Sequence, residues 1–191
     1  MYDTTHYDSP LGSILLEADE KGLSGLWFDE EKSDARCLPP EHRKGTLPVL
    51  DKTKRWLDIY FAGHAPDFMP PLHITGSSFQ MAVWDILREI PYGETTTYGA
   101  IAKKIANQKN LKQMSAQAVG GAVGRNKISI IIPCHRVIGS DGSLTGYAGG
   151  VDKKAALLQL EGFNMTGLKI PVNERSARFH KYAGFWKYTG L

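Results

Sequence analysis

Cys134 is the residue whose type and setting best suit covalent chemistry in this sequence. It lies in Pro133-Cys-His-Arg-Val137, directly after an apolar run at 128–133 that is predicted to be a short buried strand, and directly before a glycine-rich loop at 139–150. A free cysteine has a pKa of about 8.5, so a reactive one needs a neighbouring base, a helix N-terminus or a cation. Cys134 is therefore the candidate nucleophile, and an unreactive buried cysteine beside a surface histidine is the alternative.

His135 is the candidate base for that thiol. Because adjacent residues of a strand point to opposite faces, either the chain bends at Pro133 or a water joins the imidazole to the sulfur. A third group should orient the imidazole, and Glu161 is the best candidate, since it ends an apolar helix next to leucines, where a carboxylate is otherwise costly. The other cysteine, Cys37, lies among charged residues and prolines and is interpreted as structurally incidental.

The charge of the chain is divided unevenly along its length. Residues 1–75 carry 8 Lys and Arg against 13 Asp and Glu, a balance of −5, whereas residues 76–191 carry 15 against 7, a balance of +8. Between Thr95 and Ser140 there are seven basic residues and no acidic one. Such a segment suits a surface that meets phosphates, and a solvated basic face is the alternative.

The first part of the chain is predicted to form a small antiparallel sheet with one helix. Apolar residues alternate at 13–18 and 22–28 with glycines between them, which indicates two strands. Helical spacing of apolar residues at 47–61, followed by Gly63, predicts an amphipathic helix that packs on this sheet. The proline-containing stretch at 63–76 is interpreted as a linker, and the domain boundary is placed at its end.

The second part is predicted to contain a helix-turn-helix unit. Its first helix is capped by Ser78 and ended by Pro91, the second begins near Thr96 or Thr97, and the third begins near Ser115. The glycine-rich loop at 139–150 is expected to serve as a wing or lid. A last helix is predicted at 151–161, with glycine at its C-terminal cap.

The third helix is unusual because it contains Gly120, Gly121 and Gly124. Each glycine is less favourable than alanine by about 0.8 to 1 kcal/mol in a helix interior. Small residues here indicate close approach, either by a sugar-phosphate chain or by a tightly packed neighbouring helix.

Composition limits the class of protein. At 191 residues, with 42% hydrophobic and 23% charged residues, the chain is typical of a globular protein. It contains no run of the roughly 18 to 20 apolar residues that a membrane helix needs and no secretory start, so a soluble cytoplasmic protein is expected, with the nucleus as an alternative location. The two cysteines are far apart, which predicts neither a disulfide nor a structural metal site.

Taken together, the motifs at 77–166 resemble the 6-O-alkylguanine-DNA alkyltransferase family of methylated-DNA–protein-cysteine methyltransferases. The residues that carry the resemblance are Phe79-Gln80, Val83-Trp84, Leu87, Ile90-Pro91, Gly93, Thr95, Tyr98-Gly99, Ala118-Val-Gly120, Asn126, Pro133-Cys-His-Arg-Val137, Gly146-Tyr147, Gly149-Gly150 and Glu161-Gly162. A weaker resemblance covers Tyr7-Asp-Ser-Pro-Leu-Gly12 and residues 23–28. The tail at 167–191 is not covered, and no role is assigned to it.

The resemblance implies an α/β fold followed by an α-rich one: a ribonuclease-H-like N-terminal domain with its linker at 1–76 and a winged helix-turn-helix domain at 77–166. It implies DNA repair by direct reversal, in which Cys134 irreversibly takes the alkyl group of 6-O-methylguanine, with 4-O-methylthymine as a second expected substrate. The N-terminal domain is expected to contribute little direct chemistry. No cofactor, metal or required protein partner is expected, and the protein should act as a monomer on double-stranded DNA.

The resemblance also implies roles for individual residues. His135 would be the base, acting through a bridging water, Glu161 would orient it, and Asn126 would hold the turn. Tyr98 would rotate the nucleotide outward and donate a proton to the leaving base. The base pocket would be lined by Val137, Tyr147 and Ala148. The residues expected to contact DNA are Tyr98, Ser115, Gln117, Ala118, Lys103, Lys112, Arg125 and Ser140.

Two features depart from the family pattern. An arginine commonly precedes Ala-Val-Gly and fills the space left by the flipped base, whereas this chain has Gln117. The segment between Tyr98 and Gln117 is also longer than expected. Both features bear on DNA handling and leave the thiol motif unchanged.

Two rival functions fit part of the sequence. A cysteine peptidase would also use Cys, His and a carboxylate, but a basic helix-turn-helix would serve it no purpose. A non-catalytic DNA-damage-binding or regulatory protein of the same fold would account for the basic half. Such a protein has no physical need for Cys134, His135, Glu161 and Asn126 together, which favours the transferase.

Overall fold

The structure is a computed structural model that describes residues 1–29 and 42–170. Its first part is a four-stranded sheet in the order β3-β2-β1-β4, formed by β1 (Tyr2–Ser9), β2 (Gly12–Asp19), β3 (Gly22–Phe28) and β4 (His42–Lys44). The two predicted strands are confirmed as β2 and β3, and β1 and β4 were not predicted. The prediction for Cys37 and most of that for the tail fall outside the described residues.

Local turn chemistry explains the antiparallel part of the sheet. β1 pairs with β2 from Asp3 opposite Ala18 to Ser9 opposite Gly12, and β2 pairs with β3 with a bulge at Glu17 and Ala18. Asp19 stabilises the turn between β2 and β3, because its Oδ1 accepts from the backbone N–H groups of Lys21 and Gly22. β4 lies parallel to β1 at the edge of the sheet.

Helix α1 (Pro48–Phe61) packs its apolar face on the sheet, as predicted. Proline at its first position suits a helix start, and Gly63 at a φ of +85° follows its end. The 63–76 connection does more than link the two parts. Leu23 of β3 donates to the Pro71 carbonyl at 2.8 Å, and His73 donates to the Leu23 carbonyl at 2.8 Å, so the connection runs along the sheet edge.

The second part consists of α2 (Ser78–Arg88), α3 (Tyr98–Gln108), α4 (Ala116–Val123), α5 (Val151–Leu160) and two short parallel strands, β5 (Thr96–Thr97) and β6 (Val137–Ile138). Helices α3 and α4 begin where the sequence predicted, and Thr97 and Ser115 cap them. The prediction of Ser78 as the α2 cap is wrong by one residue. Ser77 is the cap, because its hydroxyl reaches the Gln80 N–H while the Gln80 side chain returns to the Ser77 N–H.

The two parts share one apolar core. Leu26, Phe28, Leu57 and Tyr60 of the first part belong to the same buried cluster as helices α2 to α5. The backbone adds a direct connection, since Leu26 donates to the Lys127 carbonyl at 2.8 Å and accepts from the Ser129 N–H at 2.9 Å. The sheet edge therefore supports the segment that leads to Cys134.

Candidate active site and nucleic-acid interface

A buried turn, and not the predicted strand, leads to Cys134. Only Ile128 makes a strand-like bridge, to Leu26, and the residues after it fold into successive turns. Ile130 has a φ of +70°, a costly conformation for a β-branched residue. A buried strand and a buried turn both require apolar side chains, so hydropathy could not separate them. Tertiary contacts decide for the turn.

Asn126 holds this turn with both ends of its amide. Its Oδ1 accepts from the Ile128 N–H at 3.0 Å, while its Nδ2 donates to the Ile132 carbonyl at 2.8 Å. The same Nδ2 lies 3.2 Å from Cys134 Sγ. Asn126 therefore braces the turn against its strained residue and provides a hydrogen-bond donor to the sulfur, which favours the thiolate.

The chain bends at Pro133, one of the two arrangements expected from the sequence. Cys134 to Arg136 form a single 3-10 turn, and this turn frees Cys134 and His135 from the opposite-face rule of a strand. Cys134 is 6% exposed and His135 is completely buried. The alternative of a surface histidine is therefore wrong.

Glu161 contacts His135 directly. Its Oε1 accepts from His135 Nε2 at 2.7 Å, and its Oε2 accepts from the backbone N–H of Gly93 at 3.1 Å. Because Nε2 faces a carboxylate, it carries the proton, and Nδ1 is the basic nitrogen. Nδ1 is buried, and no hydrogen-bond partner for it lies among the described residues.

Arg136 provides the charge that balances Glu161. Its Nε and Nη2 donate to the two carboxylate oxygens at 2.8 and 3.0 Å, and its Nη1 donates to the Ile90 carbonyl at 2.6 Å. Burial would raise the pKa of Glu161, but the hydrogen bonds and charges of His135 and Arg136 hold it well below its ordinary value. Burial lowers the pKa of His135 in spite of Glu161, so the imidazole is neutral at neutral pH.

Lys154 was missed by the sequence reasoning. It is completely buried on α5, and its ammonium donates to the carbonyls of Val137 at 2.5 Å and Thr145 at 2.7 Å. Burial lowers the pKa of Lys154 to about 8, and the charge of Cys134 opposes this shift. A lysine directly before the apolar run Ala155-Ala-Leu-Leu158 was the available signal.

Tyr60 was also missed, and it comes from the part of the chain expected to contribute little chemistry. Its hydroxyl donates to Glu161 Oε1 at 2.6 Å and lies 3.3 Å from His135 Nε2. The sequence offers only an apolar position on α1, because aromatic residues at helical spacing ordinarily indicate core. Tertiary docking of α1 places this hydroxyl in the site.

The predicted base-pocket residues surround the same region. The Tyr98 hydroxyl donates to the Thr145 carbonyl at 3.0 Å, and burial, followed by the charge of Cys134, raises the pKa of Tyr98 to about 12. The Tyr147 ring is buried 6.4 Å from that of His135. Val137 is buried, and Ala148 is exposed. Gly146 has a φ of +71°, and a side-chain carbon there would lie 2.7 Å from the Tyr98 hydroxyl, so only glycine suits this position.

The predicted DNA-contacting residues other than Tyr98 are exposed, and they lie on α3, beside and on α4, and in the loop at 139–150 expected to be a wing; we call them together the helix-turn-helix face. Its exposed residues are Lys103, Lys112, Ser115, Gln117, Ala118, Arg125 and Ser140. The described residues leave ordinary van der Waals space for a side-chain carbon at Gly120, with Tyr98 at 3.8 Å, so tight helix packing does not explain that glycine. Close approach by an external chain is the other explanation.

The fold and site define a class of protein: a winged helix-turn-helix unit with a buried thiol, a neutral imidazole and an orienting carboxylate. Models of the 6-O-methylguanine DNA methyltransferase family match the chain twice, with the ribonuclease-like domain at residues 2–74 and the DNA binding domain at residues 78–163. The chain belongs to this family. The predicted fold class and activity are thereby confirmed.

Individual relatives agree with that assignment. A methylated-DNA–protein-cysteine methyltransferase of Haemophilus influenzae is 42% identical over 96% of both chains, and one of Methanosarcina acetivorans is 47% identical over 82% of this chain and 96% of its own length. The Mycobacterium tuberculosis 6-O-methylguanine methyltransferase has a TM-score of 0.70 at 40% identity, over 84% of this chain and 93% of its own. A DNA complex of the M. tuberculosis protein has a TM-score of 0.67 at 42% identity, over 84% and 91% of the two chains.

Several expectations stay predictions. Within residues 1–29 and 42–170, no helix is long and apolar enough to cross a membrane, and no three His, Cys, Asp or Glu side chains form a possible metal site. The boundaries at 76 and 166, the monomeric state, the absence of a required protein partner and the cytoplasmic location stay predictions, as do the roles of the individual site residues.

Proposed function

We propose that Cys134 is the residue that receives the alkyl group of 6-O-methylguanine in DNA, with 4-O-methylthymine as a second substrate. The observation that carries this proposal is the sulfur itself, which accepts from Asn126 at 3.2 Å beside a buried His135 and Glu161 pair. A protein that only recognises damage would have no use for a thiol prepared in this way. The regulatory alternative is therefore not favoured.

The proposed reaction is a displacement at the alkyl carbon. The thiol proton of Cys134 passes through a bridging water to His135 Nδ1, and the sulfur forms a bond to the carbon as the carbon–oxygen bond of the base breaks. The imidazolium that forms is stabilised by Glu161, while the Lys154 ammonium and the Asn126 amide favour the thiolate. The product is a thioether, a poor leaving group, so each protein molecule reacts once.

Tyr98 is proposed to return a proton to the base. Its raised pKa makes the phenol a weaker acid, so it gives up its proton only as negative charge develops on the departing guanine. The tyrosinate then regains a proton through solvent, while His135 releases the one that it took from the thiol. Tyr147 with the backbone of Val137 and Ala148 would line the pocket for that guanine.

The helix-turn-helix face is proposed to bind double-stranded DNA and to turn the damaged nucleotide out of the stack. Gln117 is exposed on α4, and it would enter the vacancy where the family commonly uses arginine. Lys103, Lys112 and Arg125 would contact phosphates, and Ser115, Ala118 and Ser140 would approach the backbone. We propose that the protein does this as a monomer, without a cofactor.

The test is transfer of a labelled methyl group. Duplex DNA containing radiolabelled 6-O-methylguanine is incubated with the protein, and the label is mapped after proteolysis. We expect one label per protein molecule, on the peptide containing Cys134. Label on another residue, or repair that continues beyond one group per molecule without added reductant, would contradict the proposal.

A further inference from the structure

Tyr60 joins the N-terminal part of the chain to the buried charge network of the site. It lies near the end of α1, is completely buried, and is 75 and 101 residues from its two polar contacts, His135 and Glu161. Its hydroxyl has one proton, and the 2.6 Å distance to Glu161 Oε1 shows that the hydroxyl donates this proton in a hydrogen bond to the carboxylate. Burial, followed by the charge and hydrogen bond of Glu161, raises the pKa of Tyr60 well above its ordinary value, so it stays a donor.

Glu161 Oε1 is a shared acceptor. It receives hydrogen bonds from Tyr60 at 2.6 Å, from His135 at 2.7 Å and from Arg136 at 3.0 Å. Each donor partly neutralises the oxygen and so weakens its hydrogen bonds to the other donors. The phenol therefore weakens the attraction between the carboxylate and the imidazole proton. Without the phenol, Glu161 would be more basic and His135 would bind a second proton more readily.

We propose that Tyr60 is a positioning residue for alkyl transfer: by donating to the same Glu161 oxygen as His135 Nε2, it holds the carboxylate where it accepts from Nε2 and keeps Nδ1 unprotonated as the acceptor toward Cys134. This inference rests on the proposed function. It also makes the N-terminal part of the chain a contributor to the reaction site, because the phenol belongs to α1 and the other groups belong to the second part.

Other groups also lie around this imidazole and carboxylate, and they too affect the pKa of His135. They are Tyr92 and the backbone N–H of Gly93 before β5, Cys134 and Arg136 on the 3-10 turn, Tyr147 on the wing, and Lys154 on α5. Arg136 already balances Glu161, and protonated His135 would leave an excess positive charge in a buried site. Removing the phenol is therefore expected to raise the pKa of His135 without making it a permanent cation.

The Tyr60 ring also has a packing role, which the variant must keep. It stacks on Trp56 at 5.3 Å and meets Phe61 and Tyr92 edge-on at 5.4 and 6.0 Å. Tyr60→Phe retains this ring and removes only the hydroxyl. Tyr7→Phe is a matched control, because the Tyr7 hydroxyl donates to the Asp58 carboxylate at 2.9 Å on the same domain but at the surface.

The experiment measures the imidazole and the reaction separately. The ring nitrogens of His135 are followed by NMR in nitrogen-15 histidine-labelled protein without DNA, from pH 5 to pH 9. Single-turnover transfer from duplex DNA containing 6-O-methylguanine is measured over the same range. In Tyr60→Phe we expect the His135 titration and the acid limb of the rate profile to move upward together by about half a pH unit or more, with the plateau rate about tenfold lower.

A purely structural role would give a different result. If Tyr60→Phe lowers the rate while the ring-nitrogen signals and the acid limb coincide with those of the parent and of Tyr7→Phe, the positioning role is overturned. If Tyr60→Phe fails to fold, Tyr60 is replaced by 3-fluorotyrosine, which keeps the hydroxyl and makes it a stronger donor. The His135 titration and the acid limb of the rate profile should then both move to lower pH. If neither moves, the positioning role is overturned. If the parent transfers no alkyl group, the proposed function fails, while the NMR titration still decides whether Tyr60 controls His135.

Discussion

The thiol site and the helix-turn-helix face represent opposite ways of preparing a protein surface for a ligand. At the site, Asn126, His135, Arg136 and Glu161 are all buried, and their polar groups bind one another or nearby backbone groups. On the face, Gln117 and Lys112 are exposed. The site is organised before any substrate arrives, whereas the polar groups of the face are open to solvent.

This difference predicts which substrates each substitution affects. A change at the site should impair reaction with every substrate, including the free modified base, because the chemistry itself is lost. A change on the face should impair only duplex DNA. Measuring both substrates for each variant therefore tests the division between the two regions.

The largest effect is expected for Cys134→Ser. A serine hydroxyl is far less acidic and less nucleophilic than a thiol, so transfer from both duplex and free base should be abolished. Affinity for duplex DNA, measured by fluorescence anisotropy, should be almost unchanged because the face is intact. Residual transfer to the introduced serine, or a large loss of affinity, would break the proposed separation.

Glu161→Gln should cost both stability and activity. It leaves Arg136 without its buried counter-charge, so the free energy of unfolding should fall by about 3 to 5 kcal/mol in denaturant titration at pH 7. The folded pKa of Glu161 lies below its unfolded value of about 4.3, so its contribution is complete above that pH and is lost as pH falls through the folded pKa. The difference in the free energy of unfolding between parent and variant should thus become smaller only under acid conditions.

Glu89→Gln provides the control for that measurement. Glu89 is exposed and contacts Lys104 at the surface, where solvent screens the pair. Its replacement should leave both stability and transfer close to the parent. A comparable loss in the two variants would mean that burial of Glu161 is not the cause.

His135→Ala should change the pH profile of transfer. With His135, Asn126 and Lys154 assisting the thiol, the parent rate should reach its plateau below the free-thiol pKa of about 8.5. Because burial lowers the pKa of His135, its acid limb should lie below pH 6.5. The alanine variant should lose about a hundredfold in rate at pH 7. A parent profile that still rises through pH 8.5, and that the alanine change leaves unaltered, is the contrary result.

A smaller effect, confined to duplex DNA, is expected at Gln117. Its amide can donate to and accept from the orphaned pyrimidine, but it lacks the planar charged fork of arginine. Gln117→Ala should slow duplex repair by about tenfold, roughly 1.4 kcal/mol, and should leave the free base nearly unaffected, while Gln117→Arg should keep or raise the duplex rate. Equal loss on both substrates would refute the flipping role.

The smallest effects are expected for the lysines of the face. If Lys103 and Lys112 each neutralise a phosphate, Lys103→Ala or Lys112→Ala should reduce the slope of log affinity against log salt by about one. Gln117→Ala should leave that slope intact, since glutamine neutralises no charge. Unchanged slopes in both lysine variants would place the phosphate contacts elsewhere on the face.

Local spacing in the sequence was enough to predict much of this protein. Thr97 and Ser115 cap α3 and α4 because each hydroxyl reaches an N–H three residues later, a distance fixed by the helix itself. Asn126, in contrast, was expected only from the family resemblance, and a turn brings it to Cys134, eight residues further along the chain. Glu161 was predictable because an ionised group beside an apolar helix end needs a partner.

Tertiary structure alone decided the remaining features. Apolar residues at 128–133 are compatible with a strand or a turn, and the docking of Leu26 with the Asn126 hydrogen bonds selects the turn. Tyr60 enters the site because α1 packs where its hydroxyl meets Glu161, across 101 residues of sequence. Burial patterns show that such a residue faces the core, but not which polar group of the core it will meet. That meeting depends on how distant surfaces fit together, since the hydrophobic contacts that drive the packing carry no direction of their own.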